Sequence, residues 1–240
     1  MEGSCLILHE AHDEARLVRL KERLASEGEQ RNPVIASPYE DRFLVLDGAH
    51  RVRALGEMGA RFVLAQIVEP PERAEGWGHV VRGLEVPGGA NGLVTERTGG
   101  EVVAEIETGD GETISVRSRE AGPVASARAM WELQSLYPEG ANVRRVEPDA
   151  RVRLSRAEAL IQYRPFAPEE LVEVVGSGSV LPAGVTRFRV SERVLGVRYP
   201  LEKMMSGDPR VRNVELRRFV SERWSENRVR RYREPVVLFE

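Results

Sequence analysis

The sequence predicts a protein of the α/β (α+β) class, built from two lobes. The first observation is that strand-like apolar runs alternate with amphipathic helices over about the first seventy residues, in the order strand, helix, strand, strand, helix, strand. The second is a break rich in proline and glycine, "PPERAEGWG". The third is a clear hairpin followed by further helices beyond that break. We therefore expect one lobe at residues 1–73 and a second, mixed α/β lobe at residues 74–240.

The composition is that of a globular protein with a sizeable core. The chain has 240 residues, of which 41% are hydrophobic and 30% are charged. No apolar stretch approaches the roughly 18 residues that a membrane span needs, and the first residues lack the pattern of a signal peptide. The single cysteine, Cys5, excludes an internal disulfide and a cysteine-cluster metal site. We expect a cytoplasmic protein without a membrane partner.

The net charge of -3 argues against a polycation built to bind nucleic acid. Positive charge is concentrated in an arginine-rich tail, "ELRRFVSERWSENRVRRYREP". We interpret this tail as an amphipathic, solvated face or a contact between lobes, in preference to a DNA-binding patch.

Each element of the first lobe has a local signature. Strands are short apolar runs, and the first helix places Leu17, Leu20 and Leu24 on one face and ends at Gly28. In order, the elements are the strand "SCLILHE", the helix "DEARLVRLKERLASEG", the strands "NPVIA" and "DRFLVLDG", the helix "HRVRALGEMGA" and the strand "RFVLAQIVE".

The second lobe mixes strands, turns and helices. Its clearest element is the hairpin "EVVAEIETGDGETISVRS", where apolar alternation flanks a Gly-Asp-Gly turn. Weak strands and turns precede it through "GGANGLVTERTGG", and "REPVVLFE" would close a sheet edge. The other predicted elements are the helices "VASARAMWELQSLYP" and "APEELVEVVGSG", the strands "ANVRRVEP" and "AEALIQYRP", a turn with one or two strands from "VLPAGVTRFRV" onward, and a tail helix from about Asn213 to Trp224.

The stretch "VLDGAHR" has the features of a phosphate site. A buried strand runs into Asp47 and Gly48 and then into a helix, whose first turn offers unpaired backbone N–H groups. His50 and Arg51 can donate to phosphate oxygens, and Asp47 can hold a magnesium ion. The alternative, equally supported by spacing, is that Asp47 caps the helix while His50 and Arg51 are solvated.

Glu10 follows the first strand, so its carboxylate is expected at the same sheet edge as that of Asp47. Ligands collect at the carboxyl ends of parallel strands, and a carboxylate there can act as general base toward a hydroxyl. Taken alone, Glu10 is more often an ordinary acid in the first turn of a helix. His9 and His12 do not make a metal site by themselves, because no third ligand is nearby in the sequence.

Two further places are candidate contacts for a small ligand. In "LPAGVTRFRV", a turn leads into Thr186 and Arg187, a hydroxyl and a guanidinium that can hold a carboxylate or phosphate. Composition alone favours a hairpin turn with a solvated arginine. Trp77, between two glycines at the lobe boundary, can wall a small pocket or fill a core.

Taken together, "LHE", "NPVIA" and "LVLDGAHRVRALGEMGA" resemble the ParB/sulfiredoxin-like superfamily, and the whole chain more closely resembles the free L-serine kinases of that fold. The resemblance continues through "LPAGVTRFRV", "RVLGVRYPLE" and "RRYREPVVLFE". It implies a ParB/sulfiredoxin-like first lobe and an active site in the cleft between the lobes. It also implies phosphorylation of free L-serine, or a similar small hydroxy amino acid, using ADP or ATP with magnesium.

The resemblance assigns roles at matching positions. Glu10 matches the catalytic glutamate that takes the proton of the serine hydroxyl, and Asp47 matches a catalytic aspartate that holds magnesium. Two positions depart from the family pattern: Ala49 replaces a histidine of the nucleotide motif, and Phe188 replaces a histidine after Thr-Arg. The implied nucleotide-binding residues are Asp47, Gly48, Ala49, His50 and Arg51, and the implied substrate-binding residues are Trp77, Thr186 and Arg187.

Two other functions stay open at this point. The first is a ParB-like nucleotide-binding transcriptional regulator that binds DNA, supported only by the arginine-rich tail and disfavoured by the net charge. The second is a catalytically inactive interaction domain, which the replacements at Ala49 and Phe188 would permit.

Overall fold

The computed structural model describes residues 1–85, 100–148 and 150–232. Its first part is a sheet with two helices on one side, and it follows the predicted order of elements with one additional short strand. These elements are β1 (Leu6–Ile7), α1 (Glu14–Glu27), β2 (Glu29–Gln30), β3 (Val34–Tyr39), β4 (Arg42–Asp47), α2 (Ala49–Glu57) and β5 (Ala65–Ile67).

The first sheet has the strand order β1-β4-β3-β5. β1 runs parallel to β4, with Leu6 opposite Phe43, whereas β3 is antiparallel to β4 and parallel to β5. Because β1 and β4 are parallel, the residues that follow them, among them Glu10, emerge at the edge where Asp47 ends β4. The prediction that two carboxylates meet at one sheet edge is therefore confirmed.

Both faces of the first sheet are buried. Leu6, Val34 and Val45 pack into an apolar cluster with the buried residues of α1 and α2. Their strand neighbours point to the opposite face and join the core of the second part of the chain, through Ile7, Ile35, Leu44 and Leu46. A strand buried on both faces needs a continuous apolar run, which explains "FLVL" in β4.

Helix α1 begins and ends as the sequence indicates. The side chain of Asp13 caps it by accepting a hydrogen bond from the backbone N–H of Arg16 at 2.7 Å. Gly28 ends it in the left-handed conformation, with φ of 66°. Leu17 and Leu24 are buried on its inner face.

The second part is an antiparallel sheet of strand order β10-β7-β11-β8-β9 with two helices packed against it. The predicted hairpin is confirmed as β8 and β9, paired from Val102 opposite Arg117 to Glu107 opposite Thr113. The elements are β6 (Glu75–Gly76), β7 (Gly78–Arg82), β8 (Val102–Thr108), β9 (Thr113–Arg117), α3 (Pro123–Gln134), β10 (Arg144–Val146), β11 (Glu158–Tyr163), α4 (Pro168–Gly176) and β12 (Thr186–Arg187).

The last described segment returns to the first lobe. It comprises β13 (Tyr199–Pro200), α5 (Glu202–Met205) and α6 (Pro209–Ser225). β13 pairs with β2, and Tyr199, Leu201 and Met204 join the apolar cluster of α1 and α2. The predicted division of the chain into two lobes at residues 73 and 74 stays a prediction, since the segment from β13 onward packs against the first lobe. Most of "GGANGLVTERTGG" and all of "REPVVLFE" lie outside the described residues.

Two predicted boundaries were wrong for local reasons. The tail helix starts at Pro209 instead of Asn213, because the Asp208 carboxylate accepts hydrogen bonds from the first two free backbone N–H groups. The strand predicted in "RFVLAQIVE" is limited to β5, because the preceding amides bond elsewhere. Phe62 N–H donates to the Met204 carbonyl at 2.9 Å, and Val63 N–H donates to that of Met1 at 2.8 Å.

Within the ranges that the structure describes, no helix combines the length and the apolar character needed to cross a membrane.

Two glycines should respond in opposite directions to replacement by alanine. A Cβ at Gly76, in β6, would overlap the backbone carbonyl of Tyr163, so we expect Gly76→Ala to lower the free energy of unfolding by about 1 to 3 kcal/mol. Gly56 lies exposed in α2 with no atom near its missing Cβ, so Gly56→Ala should raise it by about 0.5 kcal/mol. Urea unfolding of both variants measures this, and equal stabilities would contradict the packing at β6.

Candidate active site

A cavity of about 870 Å³ lies between the first sheet and the second part of the chain. Its floor is the edge where β4 ends and α2 begins, and one wall is α1. The opposite side is formed by Trp77, Arg145, Gly184 and Thr186, and by Arg193 from the segment before β13. Of the residues predicted from the sequence to form the site, all except Arg187 line this cavity.

The Glu10 carboxylate is held by the turn that precedes β12. Its Oε2 accepts a hydrogen bond from the Gly184 backbone N–H at 2.9 Å. Its Oε1 accepts one from the Thr186 backbone N–H at 2.6 Å and another from the Thr186 hydroxyl. Glu10 precedes α1 by several residues, so the interpretation as a first-turn helix acid is wrong. A carboxylate offers about four acceptor positions, so among the described donors one position on Oε2 stays open.

His9 supports this arrangement from the buried side. Its Nε2 lies 2.8 Å from the Thr186 hydroxyl oxygen. That hydroxyl has a single proton, which it donates to Glu10, so the His9 Nε2 must carry the proton that it shares with Thr186. His9 is buried, and burial lowers its pKa while the nearby Glu10 opposes the shift. A neutral histidine therefore orients the hydroxyl that holds the carboxylate.

A second buried histidine, His79, forms a hydrogen bond with the backbone of the same turn. His79 Nε2 lies 2.8 Å from the Gly184 carbonyl oxygen, to which it donates. Its Nδ1 accepts from the Tyr137 hydroxyl at 3.1 Å, and Tyr137 is bonded in turn to the Tyr163 hydroxyl at 2.6 Å. Burial lowers the pKa of His79 to about 4, so this ring is neutral at pH 7. The turn under Glu10 is thus fixed on both sides.

Asp47 ends β4 without capping the following helix. The residue at the cap position is Gly48, and Asp47 instead pairs with Arg193 at 2.7 Å and with Arg51 at 3.3 Å. The Asp47 side chain is 46% exposed, so these pairs are weak and open to replacement. The capping alternative for Asp47 is therefore wrong.

The start of α2 forms the floor of the cavity. Gly48 has φ of 101°, and a Cβ there would lie 2.9 Å from the Val34 side chain, so glycine is needed at this position. Gly48, Ala49 and His50 line the cavity at a helix N-terminus, whose first backbone N–H groups lack partners within the helix. This floor suits an anion.

His50 and Arg51 are engaged with the protein itself. The Asp13 backbone N–H donates to His50 Nε2 at 3.0 Å, so only Nδ1 of that ring is left to donate. Burial, assisted by Arg16, lowers the pKa of His50. Arg51 Nη1 donates to the Pro33 carbonyl at 2.8 Å. These contacts join α1, α2 and the start of β3, and direct phosphate contacts from both side chains stay predictions.

Trp77 and Arg187 occupy different places. Trp77 lines the cavity, while the Arg187 guanidinium lies 5.0 Å from the centre of the Trp77 ring. Arg187 pairs with Glu147 at 2.6 Å and with Glu75 at 3.4 Å. In this arrangement Arg187 positions Trp77, and its role as a direct substrate contact stays a prediction. Phe188 is buried edge-on against His9.

Sequence reasoning missed most of the positive charge of the cavity. Among the described residues, seven arginines line it, against the acids Glu10, Glu27 and Asp47, which favours a polyanionic ligand. Part of this was detectable, because the arginines of α1 recur at helical spacing next to its apolar face. The others come from distant parts of the chain. The six arginines missed are Arg16, Arg19, Arg23, Arg31, Arg145 and Arg193.

The residues present fit a magnesium ion that arrives with a nucleotide. The described part of the chain has no group of three or more acidic, histidine or cysteine side chains able to cage a metal. Magnesium is commonly held by one or two carboxylates together with substrate phosphates. Asp47, exposed at the cavity floor, is the carboxylate suited to this.

No protein-family model matches the chain. The chain is 26% identical over 246 residues to the ATP-dependent L-serine kinase SbnI of Staphylococcus aureus, which covers 97% of this chain and 93% of that protein. The solved structure of SbnI with a C-terminal truncation matches with a TM-score of 0.76 at 22% identity, over 93% of this chain and 95% of that one. A free serine kinase in complex with AMP matches with a TM-score of 0.65 at 20% identity, over 85% and 92%.

These likenesses extend over nearly the whole chain and include both parts of the fold. They confirm the predicted fold class, and they give no support to the DNA-binding alternative. The chain therefore has the same overall fold as these two solved structures.

Proposed function

We propose that this protein phosphorylates a free hydroxy amino acid, L-serine, to O-phospho-L-serine, with ATP or ADP as the phosphoryl donor. The observation that carries the proposal is the placement of the Glu10 carboxylate and the α2 N-terminus in one arginine-lined cavity. The names of the relatives support it, because one is an ATP-dependent L-serine kinase and another is a free serine kinase in complex with AMP.

Glu10 is the general base in this mechanism. Its Oε1 is occupied by both donors of Thr186, which leaves the open position of Oε2 for the substrate hydroxyl. The hydroxyl oxygen attacks the terminal phosphorus and its proton passes to Glu10, while the bond from phosphorus to the bridging oxygen breaks and that oxygen leaves with the nucleotide. Fixed orientation of base and acceptor supplies much of the acceleration in such a reaction.

The nucleotide phosphates would lie over the floor formed by Gly48, Ala49 and His50. Unpaired backbone N–H groups at a helix start bind phosphate oxygens, and Gly48 allows close approach of the ligand. Asp47 would hold magnesium, which supplies charge neutralisation on the phosphates when it is bound. Trp77 would wall the amino-acid pocket and exclude water from the reacting groups.

Replacing the base should stop the reaction without stopping nucleotide binding. We expect Glu10→Gln to lower the rate of phosphoserine formation by about 100-fold or more, because the amide cannot accept the proton. Phosphorus NMR with magnesium, ATP or ADP in separate tubes, and L-serine or L-threonine, measures the product. The matched control is Glu14→Gln, on an exposed side chain of α1. Equal turnover in wild type and Glu10→Gln would exclude Glu10 as the base.

Removing the metal should abolish turnover reversibly. We expect EDTA to stop phosphoserine formation and excess magnesium to restore it. Asp47→Asn should raise the concentration of magnesium nucleotide needed for half-maximal rate by about tenfold or more, the effect of one lost charge-assisted contact. Asp41→Asn, in the exposed turn before β4, is the control. Full activity of wild type in EDTA would contradict the metal requirement.

A further inference from the structure

Arg145 occupies a place beside Glu10 that the mechanism above leaves unused. It lies in β10 opposite His79 of β7, and it lines the cavity. A Cβ on Gly184 would overlap the Arg145 guanidinium, and Gly184 has φ of 77°. Glycine at position 184 therefore lets the Arg145 guanidinium lie against the turn. The backbone N–H of this same glycine donates to Glu10. The chain thus brings a cation next to the base.

Within the described part of the chain, Arg145 makes no ion pair and no side-chain hydrogen bond, although the negative charges of Glu10 and Asp13 lie close enough to act on it. Arg193, from the same cavity, is paired with Asp47 at 2.7 Å. Burial lowers the pKa of Arg145. The negative charge of Glu10 opposes this shift, and the positive charge of Arg16 adds to it. Arg16, on α1, also makes no ion pair in the described ranges. Its positive charge helps to lower the pKa of His50. Two guanidinium groups without an ion pair, those of Arg145 and Arg16, therefore line the cavity and suit an anionic ligand.

We infer that Arg145, assisted by Arg16, binds the terminal phosphoryl group while it passes from the nucleotide to the substrate hydroxyl. This inference rests on the proposed function and adds the residues that neutralise the transferred group. The group must lie between Glu10, which holds the acceptor hydroxyl, and the α2 N-terminus, which holds the remaining phosphates. Arg145, on β10, and Arg16, on α1, both line the cavity that contains this space. Arginine is suited to the role because its fork matches phosphate oxygens and keeps its charge.

The competing role for Arg145 is to bind the carboxylate of the amino acid. The two roles differ in what they affect. A phosphoryl contact strengthens in the transition state and acts on kcat and on the preference for the longer nucleotide. A carboxylate contact acts on the KM for serine. The experiment must therefore separate these quantities.

The test compares Arg145→Gln, Arg145→Lys and Arg16→Gln with wild type. We expect Arg145→Gln to lower kcat by about 100-fold or more and to bring the affinity for the donor nucleotide close to that for AMP. The affinity for AMP itself should stay within about twofold of wild type, since AMP lacks the terminal group. Arg145→Lys should keep part of the affinity because it keeps the charge, and Arg16→Gln should show a smaller loss in the same direction.

Arg144→Gln is the matched control, because it removes a guanidinium from the adjacent position of the same strand, outside the cavity lining. Calorimetry gives the affinities for ATP, ADP and AMP without turnover, and thermal unfolding shows that each variant is folded. The inference is overturned if Arg145→Gln keeps wild-type kcat, loses affinity for AMP equally, or changes only the KM for serine. If wild type makes no phosphoserine, the proposed function fails, and an unchanged nucleotide preference in Arg145→Gln would then also overturn the phosphate contact.

Discussion

The hydrogen bonds of the Glu10 carboxylate determine how the two parts of this protein meet. Glu10 lies just beyond β1, and the three donors that it accepts from lie at residues 184 and 186, in the second part. Next to these bonds, the Leu181 N–H donates to the His9 carbonyl and the Ala11 N–H donates to the Leu181 carbonyl, both at 2.8 Å. One short backbone pairing therefore places the base and connects distant segments of the chain.

The first sheet makes that connection rigid, because it is shared by two cores. One face packs on α1 and α2, and the other face packs on the second part. A shift of the second part relative to the first would expose Ile7, Ile35 and Leu44 to water, at a cost proportional to the apolar area uncovered. The distance between Glu10 and the α2 N-terminus is therefore set by core packing.

Local pattern was sufficient to predict the elements and the edge on which the site is built. The ends of the strands before Glu10 and at Asp47 were predictable, because an acid follows an apolar run in both places. The helix after Gly48 was predictable from the spacing of its apolar residues. Contacts across the chain were beyond such reasoning. Nothing in the sequence around Arg145 indicates that it faces residue 184, since the two positions are brought together by the pairing of β10 with β7 and of β12 with β6. Arg187 forms ion pairs with Glu75 and Glu147, which lie far from it in the sequence. These pairs could not be predicted from the residues around Arg187.

The cavity separates neutral groups from charged ones around the base. Behind Glu10 lie two buried histidines, His9 and His79, whose pKa values are both lowered by burial, so they orient the turn without adding charge. In front of it lie the guanidinium groups that line the cavity. If the histidines were cations, they would stabilise the ionised carboxylate and weaken it as a base. Two neutral histidines thus orient the base without adding to the positive charge that the guanidinium groups already supply, and those guanidinium groups are left to neutralise the phosphates.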